Sequence, residues 1–277
     1  MSARIVGVHG IGNRQPGKTP DEAAAVVGDR WTTALSRGLG QNSGVHAVVA
    51  YYAHHLATDA VQGATDPEYL SEPEQQMLLR WAAALDAPME VAQGRLATPA
   101  RASADWIARR FALDGRLVRL LVTVFCRELH RYLSDPGCRA AARDTVAETI
   151  ADHHPAVVLA HSLGSVVAYE ALWARPDLQV DLLVTLGSPL ALPGVVFSRL
   201  DPGPSNGRGV RPPGVRRWIN IADPGDVIAV PRGLTHYFDG VDADLTTPIG
   251  VFDIHKSAGY LSCPTTATAL AALLGLP

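Results

Sequence analysis

The sequence predicts an α/β protein in which a mostly parallel central sheet is covered by helices on both faces. Two observations lead to this prediction. Short apolar runs of strand length recur along the chain, and longer segments with helical periodicity separate them. Strands that alternate with helices form parallel sheets, because each helix returns the chain across one face of the sheet. A chain of 277 residues can bury the core that such a domain needs.

The elements of this core follow one another in a regular order. The predicted strands are short and rich in apolar residues, and they lie near residues 4–8, 46–52, 156–160, 181–186 and 216–222. The predicted helices of the core lie near residues 20–38, 138–152, 164–174 and 264–275. The stretch 190–215 is dense in Pro and Gly, and we expect it to form a long surface loop.

A long helical segment interrupts the alternation of strands and helices. Its three predicted helices are separated by Pro or Gly residues, and they lie near residues 73–93, 99–111 and 115–133. We therefore expect a single domain over residues 1–277 that carries a helical insertion over about 56–135.

Composition and charge argue against several classes of function. Hydrophobic residues make up 47% of the chain and charged residues 18%, as in globular rather than disordered proteins. The formal net charge of −3 gives no electrostatic reason to expect nucleic acid or an anionic membrane as a partner. The most apolar helical stretch, residues 117–125, is far too short to span a bilayer.

The cysteines and the N-terminus predict a cytoplasmic protein. Cys126, Cys138 and Cys263 form an odd set without C-x-x-C spacing, which is typical of reduced chains. A disulfide between Cys126 and Cys138 is the alternative. The chain enters a predicted strand within its first few residues, so we expect no signal peptide.

The segment Ala160-His161-Ser162-Leu163-Gly164 carries the strongest functional signal of the chain. It lies between a predicted buried strand and a predicted helix, and a small residue stands two positions away from the serine on each side. Ser162 is therefore a candidate nucleophile on a strained strand-to-helix turn, where the N–H of Leu163 is free to donate. The alternative is that Ser162 merely caps the helix.

The first predicted strand runs into residues 9–13, with the sequence His-Gly-Ile-Gly-Asn. Glycines at this place allow a backbone N–H to point at developing negative charge. Ile11 and Leu163 are therefore the candidate donors of an oxyanion hole. A tight glycine turn without a catalytic role is the alternative.

Residues 12–19 also match the phosphate-binding pattern G-x-x-x-x-G-K-[ST]. In a phosphate-binding loop the Gly-Lys-Thr opens the helix, so that the first N–H groups of the helix face the phosphates. Here Thr19, Pro20 and Glu22 predict a capping box instead, which places carboxylates where a phosphate would have to bind. A P-loop nucleotide hydrolase is therefore the disfavoured alternative.

The chain after Ser162 supplies an aspartate and a histidine in the order that a Ser-Asp-His triad requires. A predicted strand runs into Asp223-Pro-Gly-Asp226, and Asp226 is the preferred acid because it lies on the loop beyond the strand tip. Asp223 stays open as the acid, although a turn explains it better. His255 precedes the last predicted helix and is the preferred base, with His236 as its competitor.

These four segments, in this order, resemble the α/β-hydrolase superfamily, in particular its small lipase- and esterase-like members. The resemblance covers the predicted core, whereas the insertion matches no family that we can name. It implies an α/β-hydrolase fold with Ser162 as nucleophile, His255 as general base and Asp226 as the residue that orients the base. Ala160, where the commonest form of the motif has glycine, is a departure from the pattern.

The surroundings of the predicted site add further expectations. Substrate contacts are expected at His9, Gly10 and His161. The expected mechanism requires neither a metal nor another cofactor. The partner that we expect is a small-molecule ester or thioester substrate. The pairs His54-His55 and His153-His154 are interpreted as polar surface rather than as metal ligands.

The predicted function is that of a serine hydrolase that cleaves a carboxylic ester or thioester through an acyl-enzyme intermediate. An acyltransferase or cyclase with the same triad is the alternative, and a non-catalytic binding protein on the same fold is a third. The insertion carries an apolar stripe formed by Leu117, Leu120, Leu121, Val124 and Phe125. We interpret most of this stripe as the insertion's own core. As a cap over the site, it would line a pocket for a hydrophobic acyl group.

Overall fold

The computed structural model of the chain describes residues 5–40, 43–57, 66–92, 98–250 and 255–275. These residues form an α/β fold. The strands are β1 (Ile5–Val8), β2 (Ala47–Ala50), β3 (Val157–His161), β4 (Val180–Leu186), β5 (Gly209–Val210), β6 (Val215–Ala222), β7 (Phe238–Asp239) and β8 (Ala243–Thr246). The helices are α1 (Pro20–Leu39), α2 (Glu72–Ala84), α3 (Met89–Ala92), α4 (Pro99–Arg110), α5 (Gly115–Ser134), α6 (Pro136–His153), α7 (Leu163–Ala174), α8 (Ser257–Ser262) and α9 (Pro264–Leu274).

The central sheet is parallel and flanked by helices, as predicted. Its six strands pair in the order β2-β1-β3-β4-β6-β8, and β5 pairs with β7 in a separate two-stranded sheet. The five predicted strands correspond to β1, β2, β3, β4 and β6. The four predicted core helices correspond to α1, α6, α7 and α9.

Alternate residues of the central strands are buried on opposite faces of the sheet. Ile5 and Leu159 belong to the face covered by α1, α8 and α9. Val6 and Val158 belong to the face covered by α7 and the insertion. A parallel sheet with both faces covered needs strands that are apolar throughout, which is why these strands were recognisable in the sequence.

The order of the strands reverses beside β1. The chain moves from β1 to β2 in one direction and then passes β1 again to form β3 on its other side. In open parallel sheets, ligands bind outside the carboxyl ends of the strands at such a reversal. The end of β1 carries the predicted oxyanion loop, residues 9–13, and the end of β3 carries Ser162. The register that pairs Val8 with Ala160 brings these two ends together.

The predicted insertion forms the helices α2 to α5 within its described residues. α2 ends at Ala84 rather than near residue 93, because Asp86 adopts a positive φ of 65° and Pro88 follows it. The buried rings of Trp81 and Phe125 lie 4.9 Å apart and belong to the same hydrophobic core as the strand residues. The insertion therefore packs directly on the sheet domain.

The stretch 190–215 differs from its prediction as a surface loop. Leu190, Leu192 and Val196 are fully buried in the core, and the end of the stretch contains β5. Prolines and glycines set the turns of this stretch, but the apolar side chains between them still pack inside. β8 was also not predicted, since its Ala-Asp-Leu-Thr sequence is only partly buried at the edge of the sheet.

The capping box at the start of α1 is confirmed. The Thr19 Oγ1 accepts the Glu22 N–H at 3.3 Å, and the Glu22 carboxylate accepts the Thr19 N–H at 2.9 Å. Pro20 occupies the first position of the helix. A carboxylate therefore occupies the helix start at which a phosphate-binding loop would hold its ligand.

Two smaller predictions concern the cysteines and membranes. Cys126, Cys138 and Cys263 are free, so the alternative disulfide between the first two is not formed. None of the helices in the described part of the chain is long and apolar enough to cross a membrane.

Candidate active site

Ser162 lies on the turn between β3 and α7 in a strained backbone conformation. Its φ of 56° and ψ of −130° fall in a region that residues with a side chain rarely adopt. The Ser162 N–H donates to the Leu186 carbonyl at 3.0 Å and so holds the turn against β4. The Ser162 Oγ makes no capping hydrogen bond to α7, and it has no hydrogen-bond partner in the described part of the chain. Helix capping therefore does not account for this serine.

Close packing explains why glycines surround the serine. A Cβ atom on Gly164 would collide with the carbonyl oxygens of Val8 and His9. A Cβ atom on Gly10 would lie 2.5 Å from the Cβ of Ser162. The two glycines therefore allow α7 and the loop after β1 to approach each other directly beside the serine.

Asp226 and His255 form a buried hydrogen-bonded pair. The His255 Nδ1–H donates to the Asp226 Oδ2 over 2.6 Å. The same oxygen accepts the Tyr260 hydroxyl at 2.7 Å, and Oδ1 accepts the N–H groups of Ile228 and Ala229 at 2.8 and 3.4 Å. Burial opposes ionisation of Asp226, but the charge of His255 and these hydrogen bonds outweigh it and lower the pKa of the carboxyl below its ordinary value.

The second ring nitrogen of His255 is the atom that a general base would use. His255 Nε2 is buried and, like the Ser162 Oγ, has no hydrogen-bond partner within the described residues. Gly187 directly follows Leu186, which accepts the Ser162 N–H. A Cβ atom on Gly187 would lie 3.1 Å from the His255 Nδ1 and 2.7 Å from the Asp226 Oδ2. The Asp-His pair therefore lies beside the residue that follows β4, and Ser162 lies at the adjacent end of β3.

The two alternative residues make other contacts. The Asp223 carboxylate accepts the backbone N–H groups of Gly225 and Ile249, at 2.5 and 2.6 Å. These bonds give Asp223 the turn-forming role that its Asp-Pro-Gly context predicts. His236 lies on a short 3₁₀ turn and is exposed.

The loop after β1 orients the N–H of Ile11. The Gly10 carbonyl accepts hydrogen bonds from the His9 Nδ1 at 2.9 Å and from the Asn13 Nδ2 at 3.1 Å. Because the peptide group is planar and trans, the Ile11 N–H points away from the side on which this carbonyl is bound. Leu163 is the first residue of α7, and its N–H has no carbonyl acceptor within the helix. Both predicted oxyanion donors therefore belong to residues that flank the serine turn.

His9 is buried beneath this loop. Its Nδ1–H is used by Gly10, and its Nε2 accepts the Tyr52 N–H at 3.2 Å. The ring stacks on the Tyr52 ring at 4.3 Å, and the Tyr52 hydroxyl donates to the His9 carbonyl at 2.6 Å. Burial lowers the pKa of His9 to about 4, so that the ring is neutral at pH 7. These contacts make His9 a support of the loop, and its contact with substrate, like that of Gly10, stays a prediction.

His161 is the other residue predicted to contact substrate. It is buried next to Ser162, and its ring lies 4.7 Å from the ring of His255 and 5.8 Å from that of Tyr260. Neither ring nitrogen has a hydrogen-bond partner among the residues described. Burial and the neighbouring His255 lower the pKa of His161 well below its ordinary value. A neutral ring with unused polar atoms beside the serine can offer a hydrogen bond to a substrate.

An apolar cavity of about 400 Å³ lies between the insertion and the oxyanion loop. It is lined by Ile11, Gly12, Leu117, Val118, Leu120, Leu121, Val124 and Lys256. Four members of the predicted apolar stripe therefore face this cavity, and Phe125 is the member that is fully buried in the core. The interpretation of the stripe as mostly core is wrong, because its other side chains line an open space beside the loop.

The paired histidines make ordinary polar contacts. The His55 Nε2 lies 3.0 Å from the Thr145 Oγ1, and the His153 Nδ1 lies 3.0 Å from the Thr149 carbonyl. In the part of the chain that the structure describes, no group of three or more His, Cys, Asp or Glu residues could hold a metal ion.

Several residues that shape the site were not singled out from the sequence. Tyr260 on α8 binds Asp226 through its hydroxyl, and Gly187 makes room for the Asp-His pair. The Ser165 hydroxyl donates to the Ser162 carbonyl at 2.6 Å and lies 2.7 Å from the Ser188 hydroxyl. These residues are distant in sequence from most of their partners, and no local pattern marks them.

The insertion also contacts two loops of the site. The Glu128 Oε1 on α5 accepts the Gly12 N–H at 3.0 Å. The Trp81 indole N–H on α2 donates at 2.8 Å to the carbonyl of Val227, the residue after Asp226. The insertion is therefore connected both to the predicted oxyanion loop, residues 9–13, and to the loop that carries Asp226.

Comparison of the chain with protein-family models, with curated proteins and with solved structures finds no match in any of the three. Similarity therefore assigns no family to the chain. Its function is inferred from its own residues and their geometry.

Proposed function

We propose that the protein is a serine hydrolase of the α/β-hydrolase type that cleaves a carboxylic ester or thioester. One observation carries the proposal. The Ser162 Oγ and the His255 Nε2 are both buried without a partner in the described residues, while the other nitrogen of His255 is bound to Asp226. Buried polar atoms without partners are uncommon and require an explanation. A nucleophile that transfers its proton to a base provides that explanation.

The reaction proceeds through an acyl-enzyme. Ser162 attacks the carbonyl carbon while His255 takes its proton, and Asp226 keeps the imidazole in the required tautomer and stabilises its protonated form. The N–H groups of Ile11 and Leu163 stabilise the negatively charged oxygen. The alcohol or thiol leaves with the proton from His255, and water then cleaves the acyl-enzyme by the same steps.

The order of the three proposed catalytic residues along the chain supports the α/β-hydrolase assignment. The nucleophile follows β3, the acid follows β6, and the histidine precedes α8. This is the chain order Ser-Asp-His that the resemblance implies. The oxyanion loop after β1 and the nucleophile after β3 flank the strand reversal, where parallel sheets bind ligands.

The apolar cavity supports a hydrophobic acyl group in the substrate. Ile11, the proposed oxyanion donor, lines the cavity together with the leucines of α5. Lys256, which also lines it, directly follows His255. An acyl chain bound in the cavity would therefore extend from the reacting carbonyl along the insertion.

Acyl transfer is a second candidate, and the burial of Ser162 favours it. The serine has no exposed surface, and His255 is 5% exposed. An acyl-enzyme in an enclosed site is shielded from water, so that a bound alcohol or amine can intercept it. Product analysis with added alcohols and amines distinguishes the two reactions.

Labelling with a fluorophosphonate tests the proposal. We expect the wild type to be modified at Ser162, as located by mass spectrometry, and to hydrolyse members of an ester and thioester panel. His255→Ala should lose both properties, and His236→Ala, at the exposed competitor, should keep both. A folded wild type that neither reacts with the probe nor cleaves any ester would refute the proposal in favour of a binding protein.

A further inference from the structure

A carboxylate of the insertion reaches the loop that carries the proposed oxyanion donor. The Gly12 N–H donates to the Glu128 Oε1 at 3.0 Å, although the two residues are 116 positions apart. Gly12 directly follows Ile11, whose N–H is the proposed donor. A contact at this point acts on the peptide group adjacent to the donor.

The other contacts of this part of the loop are local. The Asn13 Nδ2 donates to the carbonyls of Gly10 and Ile11, at 3.1 Å each. The peptide group between Ile11 and Gly12 is therefore held at its carbonyl by the loop itself and at its N–H by Glu128. Because this group is planar, its two ends turn together, and both contacts fix one orientation.

The backbone at Gly12 needs such a contact. Gly12 has a φ of 70°, a conformation that glycine adopts readily and other residues rarely adopt. A glycine can also leave this conformation at little cost, since it has the widest choice of backbone angles. An acceptor on a packed helix limits that freedom more firmly than a contact within the loop.

We infer that Glu128 is a positioning residue for the oxyanion hole, which holds the Gly12 N–H and so keeps the Ile11 N–H directed at the oxygen of the reacting carbonyl. The inference rests on the proposed function, since the oxyanion hole is part of it. Glu128 acts through the loop and not on the substrate.

The surroundings of Glu128 fit this task better than a purely structural one. Its side chain is densely surrounded by protein although it stays partly exposed, and burial raises its pKa to about 7 while the Gly12 N–H acts in the opposite direction. Among the described residues, Glu128 forms no ion pair within 4.0 Å. Tyr52 is the neighbouring ionisable group, and burial and the charge of Glu128 raise its pKa. Burial of a carboxylate without a cation lowers the stability of the fold. The presence of Glu128 is therefore better explained by its contact with the loop than by a contribution to stability.

The kinetic test compares Glu128→Ala, which removes the acceptor, with Glu128→Gln, which keeps an oxygen in its place. With p-nitrophenyl esters as substrates, we expect Glu128→Ala to lower kcat by about 10- to 100-fold at nearly constant KM, since a misdirected donor weakens transition-state binding most. Glu128→Gln should stay within about threefold of the wild type. Glu90→Ala, on the exposed surface of α3, serves as the control and should not change kcat.

Amide hydrogen exchange at Gly12 tests the contact without reference to activity. We expect faster exchange in Glu128→Ala than in the wild type and near wild-type exchange in Glu128→Gln. Unchanged exchange in Glu128→Ala would overturn the inference, as would equal losses of kcat in both variants. Should Glu128→Ala fail to fold, Glu128→Met replaces it, since it fills similar space without an oxygen. A wild type that is inert toward esters and fluorophosphonate would refute the proposed function, and the exchange would still decide whether Glu128 holds the loop.

Discussion

The sheet core and the helical insertion contribute to the candidate site in different ways. The core supplies the side chains proposed to react, with Ser162 after β3, Asp226 after β6 and His255 before α8. The insertion makes hydrogen bonds to two loops beside them, through Glu128 at the loop after β1 and through Trp81 at the loop that carries Asp226. A segment without any recognisable motif therefore also contacts the candidate site.

The two regions differ in how far apart in the sequence the residues are that contact each other at the site. The serine motif spans five consecutive residues, and its strand, turn and helix are local structures. The contacts of Glu128 and Trp81 join residues that are 116 and 146 positions apart. Local patterns in a sequence indicate the first kind of contribution and are silent on the second.

The comparison predicts its largest effect for a substitution in the core. Asp226→Asn should lower kcat for an ester by about 10⁴-fold, because an amide favours the wrong tautomer of His255. Asp223→Asn, three positions earlier, is the matched control and should change kcat by less than about tenfold. Steady-state kinetics of the two variants decides between the two aspartates. Similar losses in both would show that the buried Asp-His pair is not what sets the rate.

A pair of glycines tests the packing of the two regions. Gly164→Ala places a Cβ against the carbonyl oxygens of Val8 and His9 and should lower the free energy of unfolding by about 3 kcal/mol. Gly115→Ala, at the first residue of α5, meets no atom closer than the Arg119 Nη1 at 3.5 Å and should raise it by about 0.5 kcal/mol. Urea denaturation measures both. A tolerated alanine at position 164 would mean that α7 can move away from β1.

The sequence predicted the parts of the fold that are buried on both sides. The five predicted strands are continuous apolar runs, which a parallel sheet requires, whereas β8 was missed because it is short, partly polar and half-exposed. The prediction of a surface loop over 190–215 is wrong because Leu190 and Leu192 enter the core between the prolines and glycines of this stretch.

The sequence also named Asp226 and His255, which form a hydrogen-bonded pair, but not the residues that support this pair. The hydrogen bond from His255 distinguishes Asp226 from Asp223 as the candidate acid. It joins residues that are 29 positions apart, which no local pattern indicates. Tyr260 and Gly187 complete the surroundings of the pair, and no spacing rule connects them to Asp226. Supports of this kind depend on the packing of whole elements, which residue patterns do not encode locally.

The cavity between the two regions is predicted to select the acyl chain. Leu121→Ser should raise KM about tenfold for long-chain esters and leave it nearly unchanged for acetate esters, because it removes apolar surface from the cavity wall. Met89→Ser is the control, since Met89 is 74% exposed on α3 and does not line the cavity. A panel of p-nitrophenyl esters of increasing chain length measures the effect. An equal change for all chain lengths would place the acyl group elsewhere.

The smallest predicted effect is the decrease in the free energy of unfolding that ionised Glu128 causes. Burial raises the pKa of Glu128 from 4.5 to about 7, so that between these pH values the folded protein binds a proton that the unfolded chain has already lost. The free energy of unfolding therefore loses a contribution from this group as the pH rises from 4.5 to 7. Glu128→Gln does not titrate and should be more stable than the wild type at pH 8 by about 1 kcal/mol, a discounted value because Glu128 stays partly in contact with water.

The stability difference between Glu128→Gln and the wild type should vanish well below pH 4.5, where Glu128 is protonated in both the folded and the unfolded state. Urea denaturation at about pH 3.5, 6 and 8 measures it, and Glu90→Gln on the exposed surface of α3 provides the control for the loss of a charge. A variant that is less stable than the wild type at pH 8 would make Glu128 an ordinary structural residue. A variant that is more stable than the wild type and equally fast would show that the charge of Glu128 destabilises the fold, and that the loop after β1 needs only an oxygen acceptor at this position.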